Sequence, residues 1–253
     1  MTEESIRTAA QLIRSARYAV ALTGAGISTA SGIPDFRSRE SGLWEKANPS
    51  EVASIFGFKR RPEAFYHWLR PLAKLLMEAE PNAAHLALAR LEAKGYIKAV
   101  ITQNIDMLHT RAGSRTVYEV HGHLRTATCI ECYTEYDAEP IIRKFLEDGE
   151  IPLCPKCGGV LKPNVILFGE QLPVRELFAA QQAARRCDLM LVAGSSLQVA
   201  PAGDMPLIAK QHGARLIVIN FEPTHVDKQA DVLFHENVVD VLPQIAAAVM
   251  EDG

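Results

Sequence analysis

An apolar run that ends directly in a glycine-rich turn, within residues 18–37, constrains the fold of this chain more than any other segment. Residues 18–23 have the unbroken apolar character of a strand buried inside a parallel sheet. Gly24-Ala25-Gly26 follows at once, and glycines at a strand end let the backbone approach a phosphate held by the next helix. Thr29 stands where the dinucleotide fingerprint has its third glycine. The segment therefore predicts a partial phosphate-binding motif, with a tight turn that binds nothing as the alternative.

An alternation of strands and helices continues along the chain. Short apolar runs rich in valine and isoleucine predict further strands at residues 98–102, 164–168, 188–193 and 215–220. Apolar residues at helical spacing predict helices at residues 5–16, 82–94, 174–186, 201–212 and 238–250. Strands that alternate with helices form parallel crossovers. The expected fold is therefore α/β: a Rossmann-like, open parallel sheet with helices on both faces.

Two segments interrupt this alternation. Residues 38–81 contain a loop and an amphipathic helix over residues 61–78, and residues 125–162 contain four paired cysteines. Both are predicted insertions that pack together as a smaller domain, beside the strand ends where ligands bind. The predicted boundaries place residues 1–37, 85–124 and 163–253 in the large domain, and residues 38–84 and 125–162 in the small domain.

The paired cysteines have the spacing of a structural zinc site. Cys129 and Cys132 form one C-x-x-C knuckle, and Cys154 and Cys157 form a second after 21 intervening residues. Four thiolates complete a tetrahedral shell with no open position, so the metal is expected to stabilise a zinc ribbon and not to catalyse. A redox dithiol, the competing interpretation, needs only one such pair. Cys187 stands alone and is expected to be a small buried apolar residue.

Composition and charge exclude several classes of protein. The 253 residues are 48% apolar and 23% charged, which is typical of a globular chain with a substantial core. A net charge of −3 gives no electrostatic footprint for nucleic acid or an anionic membrane. No apolar run reaches membrane-spanning length, and the acidic, polar N-terminus is unlike a secretory signal. A cytoplasmic protein is expected, and reduced cytosolic thiols favour metal binding over disulfides.

Polar or glycine-rich sequence follows several predicted strands. Residues 103–106 come directly after a strand, although Asn104 and Asp106 could instead cap the next helix. His121 stands at another strand end and is a candidate general base. Residues 194–196 supply small hydroxyls and backbone N–H groups, and residues 220–222 supply groups that can bind a ribose. Taken together, these strand ends predict a nucleotide site.

These residues occur in the order found in the sirtuins, the NAD-dependent protein lysine deacylases, and the resemblance covers nearly the whole chain. Its motifs are Gly24-Ala25-Gly26-Ile27-Ser28, Gly32-Ile33-Pro34-Asp35-Phe36-Arg37, Gln103-Asn104-Ile105-Asp106, His121-Gly122, the two C-x-x-C pairs, Phe168-Gly169-Glu170, Gly194-Ser195-Ser196-Leu197 and Asn220-x-Glu222. The chain looks most like a compact bacterial or archaeal member.

The resemblance implies that NAD binds as a co-substrate, with Zn2+ as the structural metal. Its implied NAD contacts are Gly24, Ala25, Gly26, Ser28, Thr29, Asp35, Phe36, Arg37, Gln103, Asn104, Ile105, Asp106, Gly194, Ser195, Ser196, Asn220, Glu222, Asn237 and Val238. Among them, Asp106 and the Ile105 backbone would hold the nicotinamide carboxamide. Phe36 would cover the site, and Arg37 would face phosphate.

The resemblance also implies a reaction. The carbonyl oxygen of an acyl-lysine attacks the nicotinamide ribose as nicotinamide leaves, and the products are free lysine and O-acyl-ADP-ribose. His121 would act as general base, and Asn104 would position water or ribose hydroxyls. The implied substrate contacts are Ile166, Phe168, Gly169, Glu170 and Val199, with an extended peptide added as a strand between residues 169–172 and 198–200.

One departure bears on the acyl group. Sirtuins that prefer succinyl- or malonyl-lysine carry Tyr-x-x-Arg, whereas here Leu69 stands three residues after Tyr66 and Arg70 comes one position late. One residue is about 100° around a helix, so Arg70 is expected to point away from the pocket. Neutral acyl groups are therefore expected, acetyl first.

Two other functions remain open at this level. The same residues could support NAD-dependent mono-ADP-ribosyl transfer to protein, or a zinc-stabilised module that binds NAD or peptide without turnover. A simple dehydrogenase is disfavoured by Thr29 in place of the third glycine.

Overall fold

The computed structural model describes residues 2–35 and 48–251, which form two sheets flanked by helices. The strands are β1 Ala19–Thr23, β2 Ile97–Thr102, β3 Val117–Glu119, β4 Gly122–Cys129, β5 Glu135–Asp137, β6 Leu161–Val165, β7 Leu189–Ala193, β8 Arg215–Ile219 and β9 Val232–Phe234. The α-helices are α1 Glu3–Ser15, α2 Pro49–Val52, α3 Ile55–Arg60, α4 Pro62–Glu78, α5 Ala83–Ala93, α6 Leu108–Arg111, α7 Ala138–Asp148, α8 Val174–Arg186, α9 Met205–Gln211 and α10 Val238–Glu251.

The large sheet is parallel, with six strands in the order β3-β2-β1-β7-β8-β9. All five residues of β1 are buried, as its continuous apolar sequence predicts for a central strand. The registers pair Thr23 with both Thr102 and Ala193, and Ala193 with Ile219. The four central strands therefore end level with one another, so the segments that follow them leave the sheet at one edge.

Helices cover both faces of this sheet and confirm the predicted architecture. One core joins the sheet to α1, α5 and α10 through residues such as Ile13, Leu88 and Ile245. The opposite core joins it to α8 and α9 through Ala184 and Met205. The buried apolar residues of these helices recur at helical spacing, so one stripe of each helix packs against the sheet.

The second sheet is antiparallel, in the order β5-β4-β6, and it belongs to a third apolar core. That core combines the insertion helices with the cysteine-containing segment, for example Phe65 of α4 with Phe145 of α7. The Tyr66 hydroxyl donates a hydrogen bond to the carbonyl oxygen of Leu161, which joins α4 to β6. The two insertions thus pack against each other.

Several predicted elements differ from the structure. The strand predicted at residues 164–168 is β6 instead, and it pairs antiparallel with β4 in the small sheet. Apolar character indicates burial but not which sheet a strand joins; here the pairing of Cys129 with Leu161 decides it. The short elements β9, α2 and α3 and the helix α7 were not predicted. The helix predicted at residues 201–212 begins as a 3-10 turn, Ala202–Asp204, before α9.

No helix among the described residues combines the length and the apolar character needed to cross a membrane.

Asp231 anchors the segment before β9 to β8, and this contact predicts how acid affects stability. Its carboxylate accepts hydrogen bonds from Lys210 Nζ at 2.7 Å, from Arg215 Nη1 at 2.6 Å and from the Leu216 amide at 2.9 Å. Burial alone would raise the pKa of Asp231, but these hydrogen bonds outweigh it and lower the pKa to about 2. We expect Asp231→Asn to lower the free energy of unfolding by roughly 1–2 kcal/mol at pH 7.

The folded state favours the charged carboxylate, so this contribution is full above about pH 4 and is lost as the pH falls through 2. Urea unfolding of both proteins between pH 7 and pH 2 measures it, with the exposed Glu147→Gln as the control. A difference between the wild type and Asp231→Asn that stayed constant across this range would contradict the assignment.

Candidate active site

A cavity of about 870 Å³ lies at the edge where the parallel strands end. Its walls include residues from the turn after β1 and from the segments that follow β2, β3, β7 and β8, together with the start of α10. Predicted site residues that line it are Gly24, Ala25, Gly26, Thr29, Asp35, Gln103, Asn104, Ile105, His121, Ile166, Phe168, Gly169, Glu170, Gly194, Ser195, Ser196, Val199, Asn220, Glu222, Asn237 and Val238. Phe36 and Arg37 fall outside the described residues.

The glycine turn after β1 is interlocked with the end of β7. The Gly26 amide donates a hydrogen bond to the Gly194 carbonyl at 2.8 Å, and a Cβ on Gly26 would lie 2.9 Å from that oxygen. Gly194 has a φ of +63°, and a Cβ there would lie 2.3 Å from the Ile27 nitrogen. Both positions therefore require glycine, because the two backbones touch. This contact brings the two predicted phosphate-binding segments together.

The turn does not lead into a long helix, contrary to the prediction. Two 3-10 turns follow it, Ala25–Ile27 and Thr29–Ser31, and Gly32 ends the second with a left-handed φ of +85°. Pro34 follows two residues later, and it lacks the N–H that a continuing helix needs. The backbone N–H groups available for a phosphate therefore come from short turns.

A buried polar network lies beneath this turn. The Ser28 hydroxyl donates to Asp106 Oδ2 at 2.6 Å, and the Leu108 amide donates to Asp106 Oδ1 at 2.9 Å. Asn104 Nδ2 donates to the Gly24 carbonyl at 3.1 Å and to Ser28 Oγ at 3.0 Å. Asn104 lines the cavity, whereas Ser28 and Asp106 are not among its lining residues. Met107, and not Asp106, holds the N-cap position of α6; Asp106 accepts the first amide of that helix and also supports the turn.

The electrostatics of this network are those of a site removed from water. Burial raises the pKa of Asp106, although the hydrogen bonds from Ser28 and Leu108 oppose that rise. Burial lowers the pKa of His85, whose Nε2 lies 3.5 Å from Ser28 Oγ, to about 4, so this imidazole is neutral at pH 7. The turn therefore rests on hydrogen bonds more than on a pair of opposite charges.

His121 lies between β3 and β4 with its ring on the cavity. Its Nδ1 is 3.1 Å from the carbonyl oxygen of Gln103. A carbonyl oxygen can only accept, so Nδ1 carries the proton and Nε2 is the basic nitrogen of the neutral ring. Gln103 Nε2 in turn donates to Ser195 Oγ at 2.8 Å, which joins the ends of β2 and β7. His121 therefore has the tautomer and the support that a general base needs.

The part of the cavity formed by the segment after β8 and the start of α10 presents groups of the kind that bind a nucleoside. Asn220 Nδ2 donates to the carbonyl oxygen of Glu222 at 2.6 Å and so shapes the segment after β8. Asn237 precedes α10, where its Oδ1 accepts from the Val239 amide at 3.3 Å. Sequence reasoning missed Phe221 and Glu236, which also line this part.

The part of the cavity beside α4 is apolar, and this helix supplies much of its wall. Sequence reasoning missed Phe65, Trp68 and Leu72 as site residues, although with Leu69 they follow the i, i+3, i+4, i+7 pattern of one helix face. Arg70 is not among the lining residues: its Nη2 donates to the Leu146 carbonyl at 2.8 Å. This confirms that Arg70 points away from the pocket.

The four paired cysteines form a cluster fit for a metal. The Sγ atoms of Cys129 and Cys157 are 3.5 Å apart, and those of Cys132 and Cys154 are 3.7 Å apart. All four lie within 4.8 Å of one another. Tetrahedral Zn–S bonds of about 2.3 Å place sulfurs about 3.8 Å apart, so the residues fit Zn2+. Hydrogen bonding with Thr134 lowers the pKa of the Cys132 thiol to about 6, which favours the thiolate a metal requires.

Comparison with known proteins identifies the family. The model of the Sir2 family matches residues 24–201. The chain belongs to the Sir2 family. An Archaeoglobus fulgidus protein named NAD-dependent protein deacylase 2 is 51% identical over 248 residues, which cover 98% of this chain and 97% of that relative.

Solved Sir2 structures agree over the whole length. One, described as a basis for the mechanism and regulation of Sir2 enzymes, has a TM-score of 0.93 and 49% identity, with 100% of each chain covered. Another, a Sir2 variant with a deacetylated p53 peptide and 3′-O-acetyl ADP ribose, has a TM-score of 0.90 and 42% identity, with 98% of each chain covered. The similarity to Sir2 structures thus extends over both sheets of the chain.

The four-cysteine cluster predicts that zinc supports folding of the small sheet. We expect the purified protein to contain about one zinc per chain and Cys154→Ser to lose it, with a fall in Tm of at least about 5 °C. Metal analysis and thermal unfolding, with and without a chelator, measure both quantities. Cys187→Ser is the matched control, because burial raises the pKa of that thiol to about 12 and it lies outside the cluster. Full zinc content in Cys154→Ser would refute the predicted ligand set.

Proposed function

We propose that this chain is an NAD-dependent protein lysine deacylase that releases nicotinamide and O-acyl-ADP-ribose. One observation carries the proposal: a single cavity joins an interlocked glycine turn, the oriented His121 and an apolar wall from α4. A dinucleotide suits the polar half and an acyl-lysine suits the apolar half, and His121 faces the same space. The names and ligands of the Sir2 relatives support the same activity.

In this proposal NAD extends across the strand ends. The pyrophosphate lies near Gly24–Ser28 and Ser195–Ser196, where the backbones of two strand ends meet. The adenosine ribose lies near Asn220 and Glu222. The nicotinamide lies toward Ile105 and Asn104, above the buried Asp106. Asp106 would then act through the Ser28–Asn104 network, or by a contact made once the nicotinamide is bound.

His121 would accept a proton from a ribose hydroxyl once the acyl carbonyl oxygen has displaced nicotinamide. The proton goes to Nε2, because Nδ1–H is held by the Gln103 carbonyl. That hydrogen bond also stabilises the imidazolium as it forms. The freed ribose oxygen attacks the acyl carbon, so the acyl group passes to ADP-ribose and lysine is released after water adds.

The protein substrate would bind as an added strand. The backbone N–H groups of Gly169, Gln171 and Val199 have no hydrogen-bond partner among the described residues. They lie in segments 169–172 and 198–200, and both segments contribute residues to the lining of the cavity. An extended peptide between them would satisfy these groups with its own backbone. This arrangement favours acyl-lysines in unstructured segments.

The proposal also includes the domain boundaries and the location of the protein in the cell. The shared core of α4, α7 and the zinc ribbon supports a small domain of residues 38–84 and 125–162, beside an NAD-binding domain of the remaining residues. The proposed use of NAD as co-substrate supports a cytoplasmic location. The five cysteines form no disulfide, which also supports it.

The proposed role of His121 predicts the effect of its removal. We expect His121→Ala to lower kcat for deacylation by about 10²–10⁴, because proton transfer to the base is lost. The measurement is mass spectrometry of deacylated peptide and O-acyl-ADP-ribose, with an acetyl-lysine peptide and NAD. His212→Ala, at an exposed histidine on the surface, is the control.

Two outcomes would contradict the proposal. Intact deacylation by His121→Ala would refute the assigned base. Transfer of labelled ADP-ribose onto protein without O-acyl-ADP-ribose would instead support mono-ADP-ribosyl transfer.

The apolar wall predicts a preference for neutral acyl groups. Leu69 lines the cavity and stands at the position where Tyr66-x-x-Arg would place a guanidinium, so Leu69→Arg is expected to favour a succinyl over an acetyl peptide. A charge-assisted contact with the succinyl carboxylate should change the ratio of kcat/KM values by about tenfold or more. Arg70→Met, outside the cavity, should leave the ratio unchanged. Faster turnover of the succinyl peptide by the wild type would overturn the preference.

A further inference from the structure

The segment 166–170, which carries Phe168 and Gly169 at the cavity wall, is a thin partition between two spaces. On one side lies the large cavity already described. On the other lies a second cavity of about 620 Å³, bounded by α3, β4 and the start of α8. Ile166 and Glu170 line both cavities. Leu167 of this segment packs into the apolar core of the small sheet, whereas Ile166 and Glu170 border open space on both sides and lack continuous packing from behind.

Backbone contacts tie Phe168 of this partition to residues 53–55, at the start of α3. The Phe168 amide donates to the Ala53 carbonyl at 2.8 Å, and the Ile55 amide donates to the Phe168 carbonyl at 3.0 Å. Gly169 then turns with a left-handed φ of +86°. A Cβ on Gly169 would lie 3.1 Å from the Phe56 ring, so this turn passes close to α3. The Glu170 amide then donates to the Leu167 carbonyl at 3.0 Å, which closes the turn locally, so the anchor of its far end to another element comes from a side chain.

A buried ion pair supplies that anchor. Lys162 Nζ lies 3.0 Å from Glu170 Oε2 and also donates to the carbonyl oxygens of Pro163, at 3.0 Å, and Val165, at 2.8 Å. The same Glu170 oxygen accepts the Leu167 amide at 2.8 Å. The three Lys162 contacts match the three protons of an ammonium group. The Glu170 carboxylate thus ties the start of the turn 167–170 to its end, and Lys162 of β6 holds that carboxylate.

We propose that Lys162 and Glu170 are positioning residues for the acyl-peptide, which hold the wall formed by Phe168 and Gly169 in its binding position. The inference rests on the proposed function and deepens it. Glu170 was expected to contact the substrate, but its carboxylate is already engaged with Lys162 and Leu167. Its role is to fix the turn, and the Gly169 and Gln171 amides then meet the peptide backbone.

The pair should affect the peptide and not NAD, because the predicted NAD contacts lie at the ends of the parallel strands. Loss of the pair frees a partition with open space behind it, so peptide binding must then include the entropic cost of ordering that segment.

The test compares charge removal with charge retention. Lys162→Met and Glu170→Gln are expected to raise KM for an acetyl-lysine peptide by about tenfold, while KM for NAD changes less than about twofold. Lys162→Arg keeps the charge and should recover most of the peptide affinity. The double variant Lys162→Met/Glu170→Gln should be no worse than the poorer single variant, because both changes remove one interaction.

Lys210→Met is the matched control, because it removes an ion pair of similar geometry with Asp231, far from the cavity. It should lower Tm without changing KM for the peptide. If Lys162→Met and Glu170→Gln instead moved both KM values and Tm together, or left peptide KM unchanged, the positioning role would be overturned. Should Lys162→Met fail to fold, Glu170→Gln and Lys162→Arg make the same comparison.

The outcome for the wild type separates this inference from the proposed function. If the wild type deacylates and the variants keep normal peptide KM, only the positioning role fails. If the wild type shows no turnover, the proposed function fails. The affinities of the wild type and the variants for a labelled acetyl-lysine peptide are then compared by fluorescence anisotropy, and the same order of affinities is expected. An absence of peptide binding by the wild type in that experiment would overturn the positioning role as well.

Discussion

The contact between two glycine-containing strand ends is the constraint on which the candidate site depends. Gly26 and Gly194 approach so closely that neither position has room for a Cβ. The level registers of β2, β1, β7 and β8 bring the following segments to the same edge. Without this approach, the turn after β1 and Ser195 would not face one cavity, and Gln103 would not reach Ser195.

Below that contact, polar groups replace the usual apolar core. Ser28, Asn104 and Asp106 satisfy one another and the backbone, so the turn is supported from within the protein before any ligand binds. Such preorganisation suits a site that must orient a dinucleotide while one of its bonds is broken. The cost is a carboxyl group whose pKa is raised by burial, kept in place by two hydrogen bonds.

The unit formed by the small sheet, α4 and α7 contributes the apolar wall of the cavity, and different interactions stabilise this unit. The four clustered cysteines bring together two segments that are far apart in sequence, and α4 and α7 pack over the same core. Segment 166–170, the proposed peptide-binding wall, follows β6 and borders open space on both sides at Ile166 and Glu170. We propose that the ion pair between Lys162 and Glu170 acts together with the packing of Leu167 to fix this segment.

The sequence by itself determined the parallel sheet, its covering helices, the cysteine cluster and most of the residues at the cavity. These follow from local patterns: continuous apolar strands, helical spacing, paired C-x-x-C knuckles and polar residues directly after strands. It also indicated that Arg70 would point outward, since one residue changes the direction on a helix by about 100°.

Only the tertiary structure decided that β6 joins the small sheet, that Trp68 and Leu72 line the site, and that Asp106 lies beneath the cavity. Each of these depends on contacts between residues distant in sequence. Glu170 shows the reason most plainly: as a sequence motif it is one polar residue beside a glycine. Its partner Lys162 becomes visible only when β6 and the turn 167–170 are folded against each other, because burial and distance set the strength of a charge pair.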